Sequence, residues 1–153
     1  MIRDATPADA AAACAVLRRS IIELCTADHR GDPEILGRWL ANKTPEIVAA
    51  WIAQPGNCVL VAVDGDTILA VGAVDNGGHV RLNYVSPDAR FRGVSRALLA
   101  ALEARALAGG NARITLDSTG TARRFYLAAG YVAAGPPIDM FGTLSYPIAK
   151  QIG

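Results

Sequence analysis

The chain is short of the features that would mark it as secreted, metal-bound or membrane-spanning. Its 153 residues hold three cysteines, Cys14, Cys25 and Cys58, with no C-x-x-C spacing. An odd number without paired spacing argues against a disulfide framework and makes the cytoplasm the expected compartment. Cys14 and Cys25 fall on one helical face and read as small buried apolar residues. Two histidines at no ligand spacing, and no H-E-x-x-H, give no support for a metal. No apolar run approaches the ~18 residues of a membrane span, and no signal-peptide core stands at the N-terminus. The net charge is only +1 and aromatics make up 6%, so neither a basic field nor an aromatic platform for nucleic acid is present. There is no G-x-S-x-G elbow and no G-x-x-x-x-G-K-[ST] loop.

What the chain does have is apolar substance: 52% hydrophobic residues against 19% charged. That is enough for one globular domain over residues 1–153. Its organising stretch is Val80 to Ala108. Leu82, Tyr84 and Val85 are strand-like, and Pro87 ends the ladder because it lacks an N–H. From Val94 the apolar positions 94, 97, 98, 101, 102 and 108 have helical period. Between them runs Arg90-Phe91-Arg92-Gly93-Val94-Ser95. A helix start leaves about four N–H groups unpartnered and is partly positive, so it suits phosphate. Gly93 permits close approach to the backbone, and Arg81, Arg90, Arg92 and Arg96 concentrate charge there.

The remaining elements follow from local signals. Met1 to Ala5 is a short strand. Thr6-Pro7-Ala8-Asp9 starts a helix bearing Ala10, Cys14, Leu17, Ile21 and Leu24, which ends near Ala27 to Gly31. Asp32-Pro33 and Thr44-Pro45 open two further helices. Cys58–Val63, Thr67–Asp75 and His79–Val85 form an antiparallel meander joined by Gly-containing turns. After the long helix, Ala112–Asp117 is a strand expected parallel to Val80–Val85. A short helix spans Ala122 to Ala129, followed by strands Tyr131–Ala134 and Phe141–Ala149. The expected fold class is α+β, a three-layer arrangement: a mixed, mostly antiparallel sheet with helices on both faces.

Two motifs in this order resemble the GNAT superfamily of acetyl-CoA-dependent N-acyltransferases. The first is Val85-Ser86-Pro87 followed by Arg90-Phe91-Arg92-Gly93-Val94-Ser95. The second is Ala122, Phe125, Tyr126, Gly130 and Tyr131, matching A-x-x-F-Y-x-x-x-G-[F/Y]. The resemblance implies a splayed parallel strand pair and an acetyl-CoA site. Val85, Arg90, Phe91, Arg92, Gly93, Val94, Ser95, Arg96, Ser118, Thr119 and Phe125 would form that site. Ser95 stands where the family prefers Gly or Ala. Thr119 stands where many members carry an Asn that bonds the pantetheine arm. The resemblance also makes Tyr126 the acid that protonates the departing thiolate. A phenol with a pKa near ~10 is protonated at neutral pH and able to donate.

The base is less defined, since the matching strand position holds Leu82 where many relatives have Glu. Asn83 and Tyr84 are the polar neighbours there and join Tyr126 as candidate catalytic residues. Glu23, Asp28 and His29 are candidates in the acceptor-shaping region. The function implied is transfer of an acetyl group directly to a primary amine of a small molecule, peptide or protein. The alternative is an acyl-CoA-binding module without turnover. A homodimer pairing through the apolar strand Leu144–Ile148 is a further expectation; no nucleic acid, membrane or metal partner is expected.

Overall fold

A computed structural model describes residues 1–153. The strand β1 (Ile2–Asp4) lies antiparallel to β2 (Asn57–Asp64), which pairs with β3 (Thr67–Asp75), which pairs with β4 (Val80–Val85). The turns between them carry glycines at positive φ, Gly65 at 59° and Gly78 at 78°, as tight hairpins require. Beyond β4 come α5 (Val94–Ala108), β5 (Arg113–Ser118) and α6 (Arg123–Ala128). The chain ends with β6 (Val132–Ala133), β7 (Ile138–Met140) and β8 (Thr143–Gln151). The helices before β2 are α1 (Ala10–Leu24), α2 (Thr26–His29), α3 (Pro33–Leu40) and α4 (Pro45–Ala53).

Local chemistry sets these helix starts. Asp32 Oδ1 accepts from the Glu34 and Ile35 amides at 2.9 and 3.4 Å, and Thr44 Oγ1 from the Ile47 amide at 3.2 Å. Each side chain satisfies donors the first helical turn leaves free, worth about 1 kcal/mol each. Pro33 and Pro45 occupy first-turn positions where no N–H is needed.

The sheet has two halves. β1–β4 form an antiparallel meander, and β5, β8 and β6 form a second antiparallel group with β7 folded onto β8. One parallel bridge, His79 to Thr115, joins them. One face of the meander is covered by α1 and α4 around Leu17, Val48, Val61 and Val71. The other is covered by α5, whose Leu98 and Leu102 are fully buried. Burial of a leucine contributes about 1.5–3 kcal/mol. Gly72 of β3 brings α5 close: a Cβ there would lie 3.0 Å from Leu102 Cδ1 and 3.2 Å from Leu98 Cδ2.

Four expectations are corrected. The first helix stops at Leu24, and Thr26–His29 is a separate turn of helix closed by Arg30 at φ 54°. His79 lies just outside β4 and forms the bridge instead. The last strand begins at Thr143, because Phe141 and Gly142, both at positive φ, make a hairpin turn from β7, an element the sequence reading lacks. Within the expected strand Leu144–Ile148, Tyr146–Ile148 pair with β5, Ile148 also with β6, and Leu144 and Ser145 pair with β7, so each of its residues already has a strand partner within the chain. No helix is long and apolar enough to cross a membrane.

Replacing Gly72 with Val is expected to destabilise the domain by about 1–3 kcal/mol through overpacking. Urea unfolding measures this; a change within error would mean that α5 is not seated on Gly72.

Candidate active site

The site begins where the sheet fails. β5 leaves the Val80–Val85 strand after the His79–Thr115 bridge, so the outward backbone edge of β4 has no strand partner. Unpaired N–H and C=O groups on such an edge are ready to pair with an extended ligand. A cleft of about 730 Å3 opens there, running from the start of α5 to α6.

Its outer end is the turn before α5. Gly93 precedes the helix at φ 76°, with only open space where a Cβ would project and no side chain capping the helix. The first α5 amides are therefore left with no capping partner. Arg90, Ser95 and Arg96 line the cleft beside them. Phe91, at φ 62° and 92% exposed, has the Arg90 guanidinium 4.6 Å from its ring centre. These are the elements of an anion cradle.

Its inner end is Tyr126, buried edge-to-face against Phe125 and Tyr131 with ring centres 5.3 and 5.5 Å away. Across the split, Asn83 Nδ2 donates to the Tyr126 hydroxyl at 2.8 Å. Burial pushes the Tyr126 phenol up to about 12, and the Asn83 hydrogen bond opposes that rise. Tyr84 points to the opposite side of β4, where Trp39 Nε1 donates to its hydroxyl at 3.3 Å; burial raises it above the ordinary phenol value.

Of the other expected cofactor residues, Val85, Ser118, Thr119 and Phe125 also line this cleft, whereas Arg92 and Val94 do not. Arg92 reaches outward to Asp64 at 3.7 Å, and Val94 packs toward the α5 core. The Ser118 hydroxyl donates to the Thr119 carbonyl at 2.7 Å, and Thr119 Oγ1 accepts from the Ala122 amide at 3.1 Å. Both hydroxyls are thus committed to the turn.

The three expected acceptor residues take other roles. Glu23 is on the exposed surface, paired with Arg19 at 2.8 Å, and lines neither cleft. His29 is 3% exposed; its Nε2 lies 3.0 Å from the Ile22 carbonyl and its Nδ1 accepts from the Gly31 amide at 2.9 Å. A carbonyl only accepts, so Nε2 carries the ring proton and no nitrogen is left for a substrate. Asp28 accepts from the Gly120 amide at 2.7 Å, the Thr121 amide at 3.2 Å and the Thr121 hydroxyl. It clamps the β5–α6 turn.

A second cleft, of about 590 Å3, lies on the other side of the split and shares Val80, Arg81, Leu82, Tyr84, Asp117 and Thr119 with the first. Asp117 is the one carboxylate lining both. His79 Nε2 lies 3.6 Å from Asp117 Oδ2, while His79 Nδ1 meets Thr115 Oγ1 at 2.7 Å. Lys43, Trp39 and Trp51 form the far wall. The sequence reading names neither Asp117 nor Lys43 as a site residue and has His79 only as the first residue of a strand. The only available signal was the parallel register, which carries Asp117 into the split two residues past the bridge. No group of three His, Cys, Asp or Glu side chains is arranged to hold a metal.

The family model for the acetyltransferase (GNAT) domain matches residues 32–152, so the chain belongs to the GNAT acetyltransferase family. Among solved structures it is similar to a GCN5-related N-acetyltransferase from Rhodopseudomonas palustris, with 27% identity and a TM-score of 0.87 over 99% of this chain and 94% of that one. It shares its fold with the PaiA N-acetyltransferase of Thermoplasma acidophilum in complex with coenzyme A, at 17% identity and TM-score 0.80 over 99% and 98% of the chains. YncA of Salmonella typhimurium with acetyl-CoA gives 19% identity and TM-score 0.75 over 100% and 94%. No curated protein matches the chain.

Lys43 supplies a test of how burial acts on a charge in the second cleft's wall. Burial brings its ammonium down to about 8, so the native state holds the charge at a cost. Between that value and the unfolded ~10.4 the unfolded chain binds the proton more tightly, and wild-type stability rises with pH there. Lys43→Met is expected to stabilise the domain by about 1–3 kcal/mol at neutral pH, with the gain shrinking as pH rises through the folded value. Urea unfolding across that range checks it; a pH-independent difference would remove the buried charge as its cause.

Proposed function

We propose that this domain is an acetyl-CoA-dependent N-acetyltransferase that delivers the acetyl group directly to a primary amine of a small molecule, peptide or protein. The observation that carries the reading is one continuous cleft that joins the uncapped start of α5 to the Tyr126 phenol along the unpaired edge of β4. Acetyl-CoA supplies an activated thioester; the rest falls to the chain. The α5 amides, Ser95 and the Arg90 and Arg96 guanidiniums hold the pyrophosphate. The β4 edge bonds the amides of the pantetheine arm, an added strand in all but name. A backbone amide near Val85 polarises the thioester carbonyl as charge develops on its oxygen.

Tyr126 gives its proton to the departing thiolate, and Asn83 fixes the direction of that hydroxyl. The amine enters from the second cleft and must lose a proton. Leu82 is apolar and buried, so the carboxylate of Asp117, lining both clefts with His79 behind it, takes this role.

Ser95→Glu is expected to abolish acetyl-CoA binding in calorimetry, because it sets a carboxylate beside the phosphates; retained affinity would remove the cradle. Tyr126→Phe is expected to lower kcat by about 100-fold, in the range of a lost general acid, while acetyl-CoA affinity holds. Thiol release on an amine panel reads it, and wild-type turnover in the variant would dismiss Tyr126 as the acid. Binding without any thiol release would instead favour the acyl-CoA-binding module.

A further inference from the structure

All but one of the buried residues of α1 are alanine, cysteine, valine, leucine or isoleucine and belong to the hydrophobic clusters beside the meander. The exception is Ser20, which is 3% exposed. A serine inside a helix either faces water or returns its hydroxyl to the carbonyl four residues back. Ser20 does neither. Its hydroxyl makes no bond to the Val16 carbonyl or to any other group of the protein. Nor is it sealed in, since the one enclosed side-chain nitrogen or oxygen without a partner is Asn57 Oδ1. Ser20 lines the first cleft and not the second, so its hydroxyl opens on the cofactor side.

The neighbours of Ser20 fix its place along that cleft. Ile21 belongs to the cluster against which Tyr84 packs. Arg19 Nη1 meets Asp88 Oδ2 at 2.8 Å, in the turn Pro87–Ala89 that follows β4. α1 packs on both β4 and that turn. Ser20, between Arg19 and Ile21, therefore borders the end of β4 from the α1 side, and Val85 lines the same cleft.

The other hydroxyls of the cleft are accounted for. Ser118, Thr119 and Thr121 are engaged in the β5–α6 turn. The Tyr84 and Tyr126 oxygens accept from Trp39 and Asn83. Ser95 is only half-buried and stands in the cradle at the start of α5. Ser20 is the one that is buried, faces the cleft and has nothing to bond. A buried hydroxyl without a partner is unfavourable, and alanine in its place would suit the helix better.

We propose that Ser20 is a further cofactor-binding residue, its hydroxyl donating to a carbonyl oxygen of the acyl-pantetheine arm. This rests on the cofactor half of the acetyltransferase reading and adds α1 to a site otherwise built from β4, α5, β5 and α6. The amide carbonyls of the arm and the thioester carbonyl each have two lone pairs, so a β4 amide on one of them leaves room for a second donor. The Ser20 hydroxyl supplies that donor from the α1 side. The bond completes the hydroxyl when the arm enters and costs the fold nothing when it leaves.

The test compares wild type with Ser20→Ala. Each is melted without ligand and titrated calorimetrically with acetyl-CoA and with CoA. The unliganded variant is expected to melt at the wild-type temperature or above it, because no hydrogen bond within the protein is lost. Its affinity for acetyl-CoA is expected to fall about three- to tenfold, the scale of one hydrogen bond. A loss confined to acetyl-CoA supports the proposal and assigns the hydroxyl to the thioester carbonyl. An equal loss for CoA supports it and assigns the hydroxyl to an amide carbonyl of the arm. Unchanged affinity for both ligands, in a wild type that binds them, overturns this proposal alone. A lower melting temperature of the unliganded variant also overturns it, since the hydroxyl would then serve the fold. A wild type that binds neither ligand overturns the cofactor reading, and this proposal with it.

Discussion

Two strands that should continue side by side part after a single contact, and the functional layout depends on that parting. His79 and Thr115 make one parallel bridge, and the Thr115 amide donates to the Gly78 carbonyl at 2.9 Å. Gly78 is required at this junction: at φ 78°, a Cβ on it would lie 2.8 Å from the Arg113 carbonyl. The backbones meet so closely there that only glycine fits. Past this point β4 keeps β3 on one side and gains nothing on the other.

Past the end of β5, a set of polar contacts fixes the β5–α6 turn. Thr119 Oγ1 accepts from the Ala122 amide, Ser118 bonds the Thr119 carbonyl, and Asp28 gathers the Gly120 and Thr121 donors. Asp28 is buried and comes from the short helix α2, distant in sequence. A carboxylate that spacing suggests for the acceptor thus keeps the throat between the two clefts in shape. Removing it would free three donors and a strand end together.

The difference between what the sequence tells and what it conceals follows the range of the contacts. The turn before α5, the span Val94–Ala108 and the three-strand meander rest on neighbouring residues: a proline, a glycine, an apolar period. These are legible, and the helix ends where its pattern ends. The site side chains depend on partners far along the chain. Asn83 meets Tyr126 43 residues away, and Asp28 meets Gly120 92 away. Nothing near His29 says that both its nitrogens will be taken by backbone, and nothing near Lys43 says that it will be buried without an acid. The family motifs bridge part of that gap by bringing Tyr126 to the cleft. They carry no information about the second cleft, where no motif residue faces the acceptor.

The two phenols at the throat show how placement divides labour between identical groups. Burial raises both, which keeps a proton on each at neutral pH and also makes each reluctant to release it. A useful donor needs both properties in balance. Asn83 donates a short hydrogen bond to the Tyr126 oxygen, which favours the phenolate and offsets part of the desolvation. Tyr84 receives a longer bond from Trp39 and stands nearer Cys25 and Asp28, whose charges work against ionisation. Of the pair, Tyr126 is the phenol whose hydroxyl meets Asn83 across the split, at the inner end of the first cleft. Tyr84 turns its hydroxyl to Trp39 instead. The alternation of Asn83 with Tyr84 on β4 sends one side chain to each side of the split.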